Sequence, residues 1–260
     1  MQLALYQVDA FASKVFAGNP AAVVPLQGWL DDATMQAIAT ENNLSETAFT
    51  VRKSDGDFDL RWFTPAAEVD LCGHATLGAA FVLFRTGAAK GATVAFDTRS
   101  GRLGVRKDGD LLVMDFPLVE QRPVEPEDAL IQGLGRRPLE LFAGTDLLAV
   151  YGSEAEVRAL NPDMAVLGRL KTRGVIATAP GERADFCSRF FAPGVGVPED
   201  PVTGSTHCQL TPYWAKRLGK ATLSAHQVSA RGGELRCTLK GARVEIAGTA
   251  VPYLDATITI

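Results

Sequence analysis

Glu46 stands in the run Asn42-Asn43-Leu44-Ser45-Glu46-Thr47-Ala48-Phe49, between a helix-like segment and the start of a strand. A carboxylate at a strand end, turned toward a cleft, is suited to taking a proton from carbon and returning it. A solvated turn glutamate would read the same, because most glutamates are solvated. His74 lies in Cys72-Gly73-His74-Ala75-Thr76. There it can donate to a substrate carboxylate, relay a proton or pair with Glu46, or simply open a helix. Asp200 lies in Glu199-Asp200-Pro201-Val202-Thr203-Gly204-Ser205. An acid here can hold a substrate amine or hydroxyl or orient His74, and a turn aspartate before proline is the plainer alternative.

Gly73 and Gly204 each precede a probable helix. A helix start leaves backbone N–H groups unpaired and carries partial positive charge, and glycine lets a ligand approach that backbone. Thr203, Ser205 and Thr206 add hydroxyls, and Thr203 or Ser205 can cap the helix. Two such starts make a cradle for one or two carboxylates. Capping alone explains either cluster by itself; their duplication favours the clamp. Cys72 offers another chemistry, since a helix start activates a thiolate. A two-thiol racemase needs one cysteine from each half, and the counterpart of Cys72 is Thr203, which argues against that mechanism. Cys187, Cys208 and Cys237 read as small core residues, and His207 as filler.

The elements that must position these residues are written twice. Arg61-Trp62-Phe63-Thr64-Pro65 is echoed by Arg189-Phe190-Phe191-Ala192-Pro193, and the two glycine motifs follow in turn. An offset of 131 then takes Gly101 to Gly232 and Val113–Phe116 to Val244–Ala247. An offset of 128 sets Gly174 opposite Glu46, as expected if one active site needs one base. In the first half the patterns predict strands near 2–9, 21–26, 47–53, 57–63, 93–98, 102–107 and 111–116, with helices near 31–43 and from 74. In the second they predict strands near 147–151, 174–179 and 185–191 and a helix near 153–160. The expected fold is α+β: two similar domains, 1–116 and 117–250, each a mostly antiparallel sheet wrapped around a central helix. Prolines 117, 123 and 126 mark the linker. The last strand, 251–260, has no clear counterpart before the linker, and is expected to return to the first domain. Small ligands sit in clefts between such domains.

The 260 residues are 47% hydrophobic with a formal net charge of −4, which leaves no global basic field for nucleic acid or an anionic membrane. No apolar run is long enough to span a bilayer and no signal peptide is evident, so a cytoplasmic protein with reduced thiols is expected. The four cysteines and three histidines match no metal pattern, and no dinucleotide, phosphate-loop or nucleophile-elbow motif occurs, so neither a metal nor an organic cofactor is implied.

Gly18-Asn19-Pro20-Ala21-Ala22-Val23, Asn43–Phe49, Phe63-Thr64-Pro65, Leu71–Thr76 and Glu199–Ser205 together resemble the PhzF-like (phenazine biosynthesis) family across nearly the whole chain. The resemblance implies a diaminopimelate-epimerase-like fold with the active site between two domains, commonly as a homodimer. It implies a cofactor-free isomerase acting on a small carboxylate-bearing substrate. It carries the catalytic roles onto Glu46, His74, Asp200 and Ser205. Gly73, Ala75, Thr203, Gly204 and Thr206 are the expected substrate-binding positions. A Cys72-assisted amino-acid epimerase and a non-catalytic small-molecule binder are the competing readings.

Overall fold

The alternating runs of the first half form β1 (Gln2–Ala10), β2 (Asn19–Leu26), β3 (Glu46–Arg52), β4 (Phe58–Phe63), β5 (Glu68–Val69), β6 (Thr93–Thr98), β7 (Gly101–Asp108) and β8 (Leu111–Pro117). Helices α1 (Asp32–Asn42) and α2 (Gly73–Arg85) complete that half of the computed structural model, which describes residues 1–260. The second half supplies β9 (Arg122–Pro123), α3 (Asp128–Leu134), β10 (Glu140–Ala143), β11 (Leu147–Val150), α4 (Glu154–Arg158), α5 (Met164–Leu167), β12 (Val175–Pro180), β13 (Phe186–Ala192) and β14 (Val197–Asp200). Then come α6 (His207–Leu218), β15 (Thr222–Gln227), β16 (Gly233–Lys240), β17 (Arg243–Gly248) and β18 (Ala250–Thr259). Unit 1 comprises Met1–Asp115 with Ala247–Ile260, and unit 2 comprises Phe116–Ile246.

In unit 1 the pairing runs β18–β1–β2–β3–β4–β6–β7–β8, antiparallel except for β2–β3 and β4–β6. The parallel β2–β3 pair needs a crossover, and α1 provides it. Asp31 caps α1 by accepting from the Thr34 amide at 2.9 Å. Asn43 ends α1 in the left-handed region, at φ 48°, and so turns the chain into β3 at Glu46. Helix α2 buries nine of its thirteen residues, from His74 to Leu83, so it is the central helix rather than a surface one.

Unit 2 repeats this order as β9–β10–β11–β12–β13–β15–β16, with β11–β12 and β13–β15 the parallel pairs. The register repeats too: Phe49 faces Arg61 in unit 1 and Ala177 faces Arg189 in unit 2. Each arginine makes a fork-to-fork pair with a glutamate, Arg61 with Glu68 and Arg189 with Glu199, at 2.7–2.9 Å. Each also lies over a ring, Phe63 or Phe191, about 5 Å from its centre.

The last strand does have a counterpart. β9 follows β8 as β18 follows β17, and it pairs with β10 as β18 pairs with β1. The prolines hid it: Pro123 has no N–H to give a ladder, and β9 stops after two residues.

The central helix of unit 2, α6, contains Pro212. Proline cannot bond to the carbonyl four residues back. The freed Cys208 carbonyl accepts instead from the Val119 amide at 2.9 Å, which ties the linker to the helix. Trp214 stacks on Phe186, 4° from parallel, and donates to Thr178 Oγ1 at 3.0 Å.

His207, at the start of α6, is fully buried, and its Nδ1 lies 2.9 Å from the Thr203 carbonyl. Burial pushes its pKa down to about 4, against the opposing pull of the Thr203 and Gly204 backbone. The folded value lies below the unfolded one, so the unfolded chain binds more protons between about pH 4 and 6.5. The stability this neutral ring confers is complete above about 6.5 and is lost as pH falls through 4. Urea unfolding from pH 7 to pH 4 is expected to cost the native chain about 3 kcal/mol more than it costs His207→Asn.

Candidate active site

Three element ends of unit 1 converge: the start of β2 at Asn19, the start of β3 at Glu46 and the start of α2 at His74. Gly18 fixes the first. Its φ is +66°, and a Cβ there would lie 2.2 Å from the Ala10 carbonyl oxygen, so only glycine fits. Asn19 follows, fully buried. Its amide nitrogen lies 3.2 Å from His74 Nδ1, and its carbonyl accepts from the Ser45 hydroxyl at 2.9 Å.

On the other edge of the ring, His74 Nε2 lies 2.9 Å from Glu46 Oε2. Neither atom has a well-aligned hydrogen bond, so this is a close charge contact rather than a linear bond. With the Asn19 amide donating, Nδ1 is an acceptor, and the network assigns the hydrogen of a neutral His74 to Nε2, toward Glu46. The His74 side chain is 5% exposed and that of Glu46 16%. Glu46 is therefore the member of the pair that solvent or a substrate reaches, with His74 behind it.

Burial works against charge on His74, but the negative forms of Cys72 and Glu46 outweigh it and hold the imidazole well above the usual histidine value. Cys72 is 3.5 Å from His74 Nδ1, and its thiol is itself pushed up to about 11, by burial first and then by Glu46. That thiol is neutral near pH 7, so the charge acting on His74 there is that of Glu46. Burial and the Glu46 charge thus work against a thiolate at this helix start, and so against a Cys72-assisted mechanism. Donor atoms of Glu46, Cys72 and His74 fall within 4.8 Å of one another. The sulfur faces Nδ1 and the carboxylate faces Nε2, on opposite edges of the ring, whereas a chelate needs both beside the same nitrogen. The trio is a chain of close contacts, Cys72 to Nδ1 and Glu46 to Nε2.

In unit 2 the corresponding turn is a 3-10 turn, Gly204–Thr206, that leads into α6. Neither Thr203 nor Ser205 caps it with its side chain, contrary to expectation. The Thr203 hydroxyl donates to Asp200 Oδ2 at 2.5 Å, and the Thr206 hydroxyl donates to the Thr203 carbonyl at 2.8 Å. Two of the three hydroxyls expected to serve a ligand are thus spent within the turn. Gln227 locks the segment, accepting from the Thr203 amide and donating to the Asp200 carbonyl, each at 2.8 Å. Ser205 Oγ accepts from Arg173 Nη1 at 3.2 Å. Arg173 is held in turn by Asp146, a carboxylate only 1% exposed.

Sequence reasoning passed over Arg173, Asp146 and the role of Asn19. The signal for Arg173 was present: it is the residue immediately before Gly174, the register mate of Glu46. Asn19 and Ser45 lay inside motifs quoted for the resemblance, but nothing in those motifs shows that their side chains meet. Ala75 and Gly204 are buried in the two helix starts. Gly73 is the first residue of α2.

The duplicated α+β unit built around a central helix is an epimerase-like fold. The chain belongs to the phenazine biosynthesis-like protein family, whose model matches residues 8–256. It is 54% identical to an uncharacterised isomerase of Pseudomonas aeruginosa, over 99% of both chains. A PhzF-family crystal structure from Enterococcus faecalis superposes with a TM-score of 0.98 at 47% identity, covering 100% of each chain. A hydroxyproline epimerase from Agrobacterium vitis shares the fold at a TM-score of 0.65 and 12% identity, over 99% of this chain and 92% of that one.

The other thiols, Cys187, Cys208 and Cys237, are buried and pushed up to about 12. A disulfide-exchange reagent at pH 8 is expected to find no fast thiol in the native protein and four after denaturation. A single fast native thiol at Cys72 would restore the thiol-based route.

Proposed function

We propose that this isomerase is cofactor-independent and moves a proton on a small carboxylate-bearing substrate, with Glu46 as the general acid/base. The observation that carries the reading is the 2.9 Å contact of Glu46 with His74, in which the carboxylate is the reachable partner. Glu46 takes a proton from carbon, and the electron pair left behind spreads into the conjugated system of the substrate. The protonated Glu46 then returns the proton to another carbon of that system, so the substrate keeps its formula and no electron acceptor is needed. His74 holds the carboxylate in place through Nε2. A base positioned in this way contributes roughly 10²–10⁴ in rate, and orientation of the substrate adds more.

Asp200 and Ser205 complete the set, with Gly73, Ala75, Thr203, Gly204 and Thr206 lining the two helix starts. For Thr203 and Thr206 the contribution is through backbone, because their hydroxyls are engaged internally. The same reading includes a homodimer in the cytoplasm. No helix is long and apolar enough to cross a membrane.

The test is proton exchange in D₂O, followed by NMR, with trans-2,3-dihydro-3-hydroxyanthranilate and a panel of cyclic and amino carboxylates. Native protein is expected to exchange or isomerise at least one of them, and Glu46→Gln to lose roughly 10²–10⁴ of that rate. Undiminished exchange in Glu46→Gln would overturn the assignment.

A further inference from the structure

The duplication places different chemistry at matching positions. In unit 1, Ser45 precedes β3 and Glu46 opens it, and Glu46 meets His74 at the helix start. In unit 2 the register mates of Ser45 and Glu46 are Arg173 and Gly174, and the mate of His74 is Ser205. A carboxylate at 174 has no room, because a Cβ there would lie 2.4 Å from the Phe190 ring and 2.9 Å from the Phe191 carbonyl oxygen. The polar function moves back one residue to Arg173, whose guanidinium lies over the same Phe190 ring, 5.4 Å from its centre.

Arg173 is built to present one edge. Its Nε donates to Asp146 Oδ1 at 2.8 Å, and its Nη2 donates to Asp146 Oδ2. That buried carboxylate occupies the side of the fork. Nη1 donates to Ser205 Oγ. Of the five N–H groups of a guanidinium, one on Nη1 and one on Nη2 remain without a protein acceptor. The side chain is 37% exposed, and the Asp200 carboxylate acts on its charge besides Asp146. Ser205 accepts from Arg173 and keeps its own hydrogen to give. Asp146 cancels the charge of Arg173 at long range, so what remains is short-range and directional.

We propose that Arg173, oriented by Asp146 and joined by Ser205, is the carboxylate-reading subsite of this enzyme and determines its specificity for acids over neutral isosteres. The proposal rests on the isomerase reading and supplies the residue that selects the substrate class. The ligand carboxylate accepts from the open Nη1–H and Nη2–H and from the Ser205 hydroxyl. No bond to carbon is made or broken there.

The probes are 2-aminobenzoate and its neutral isostere 2-aminobenzamide, with binding to the full-length protein followed by calorimetry. Native protein is expected to prefer the acid by roughly 10- to 100-fold, the range for charge-assisted hydrogen bonds. Arg173→Gln is expected to remove that preference by weakening the acid alone. Because Arg173→Gln leaves Asp146 buried and unpaired, the double variant Asp146→Asn/Arg173→Gln is measured beside it and is expected to show the same loss. A merely structural ion pair would shift both probes equally. Equal binding of acid and amide by native protein, or full acid preference in the double variant, would overturn the proposal. Glu46→Gln is expected to keep the preference, so failure of the acid/base assignment and failure of this subsite are read in separate experiments.

Discussion

A helix buried on nearly every side cannot hide its first turn. Helix α2 has its body packed in the core, yet its opening amides have no partners within the helix, and polar groups must gather where it begins. The starts of two neighbouring strands come to that same place. Gly18 permits the tight approach, Asn19 and Ser45 form a fixed polar pair, and His74 is held between that pair and Glu46. The Glu46–His74 contact thus sits where a central helix begins.

The same constraint acts in unit 2 and is met differently. There the turn before α6 satisfies itself: threonine hydroxyls bond backward, and Gln227 bridges the Asp200 and Thr203 backbone. Phe190, packed beside Gly174, excludes a second carboxylate at the matching position. One duplicated scaffold therefore carries a carboxylate–imidazole pair in one unit and an arginine–serine pair in the other. The asymmetry is steric in origin before it is chemical.

Much of the fold was legible in the sequence because its markers are of a kind that sequence displays. The paired arginines 61 and 189 sit on alternating strands, the glycines 73 and 204 sit at helix starts, and constant offsets tie them together. The α+β class follows from these, and the epimerase-like fold is what the family resemblance implied. Less legible were features made by side chains meeting across strands remote in sequence. Arg173 and Asp146 are 27 residues apart and join through the β11–β12 pair, which no local pattern announces. Strand β9 was hidden by its prolines. Capping by Thr203 or Ser205 was a sound expectation from residue type. It failed because a 3-10 turn precedes α6, and both hydroxyls have other partners. Glu46 and His74 were named from motif and position, and their closeness became visible only with the strand order.

The return of β18 bears on how the chain is made. Its pairing with β1 runs from Gln2–Thr259 to Ala10–Ala250, so β1 waits for a strand synthesised after β2 through β17. Domains usually complete in the order of synthesis. Here unit 2, whose residues are continuous from Phe116 to Ile246, has its whole sequence available before unit 1 does. Until Ala250–Thr259 emerges, one edge of β1 lacks its partner, a template for another chain's strand. Proteolytic trimming of the C-terminus would reopen that edge in the finished molecule. Strand β18 thus covers an edge that would otherwise stay unpaired, though it lies far along the chain from Glu46.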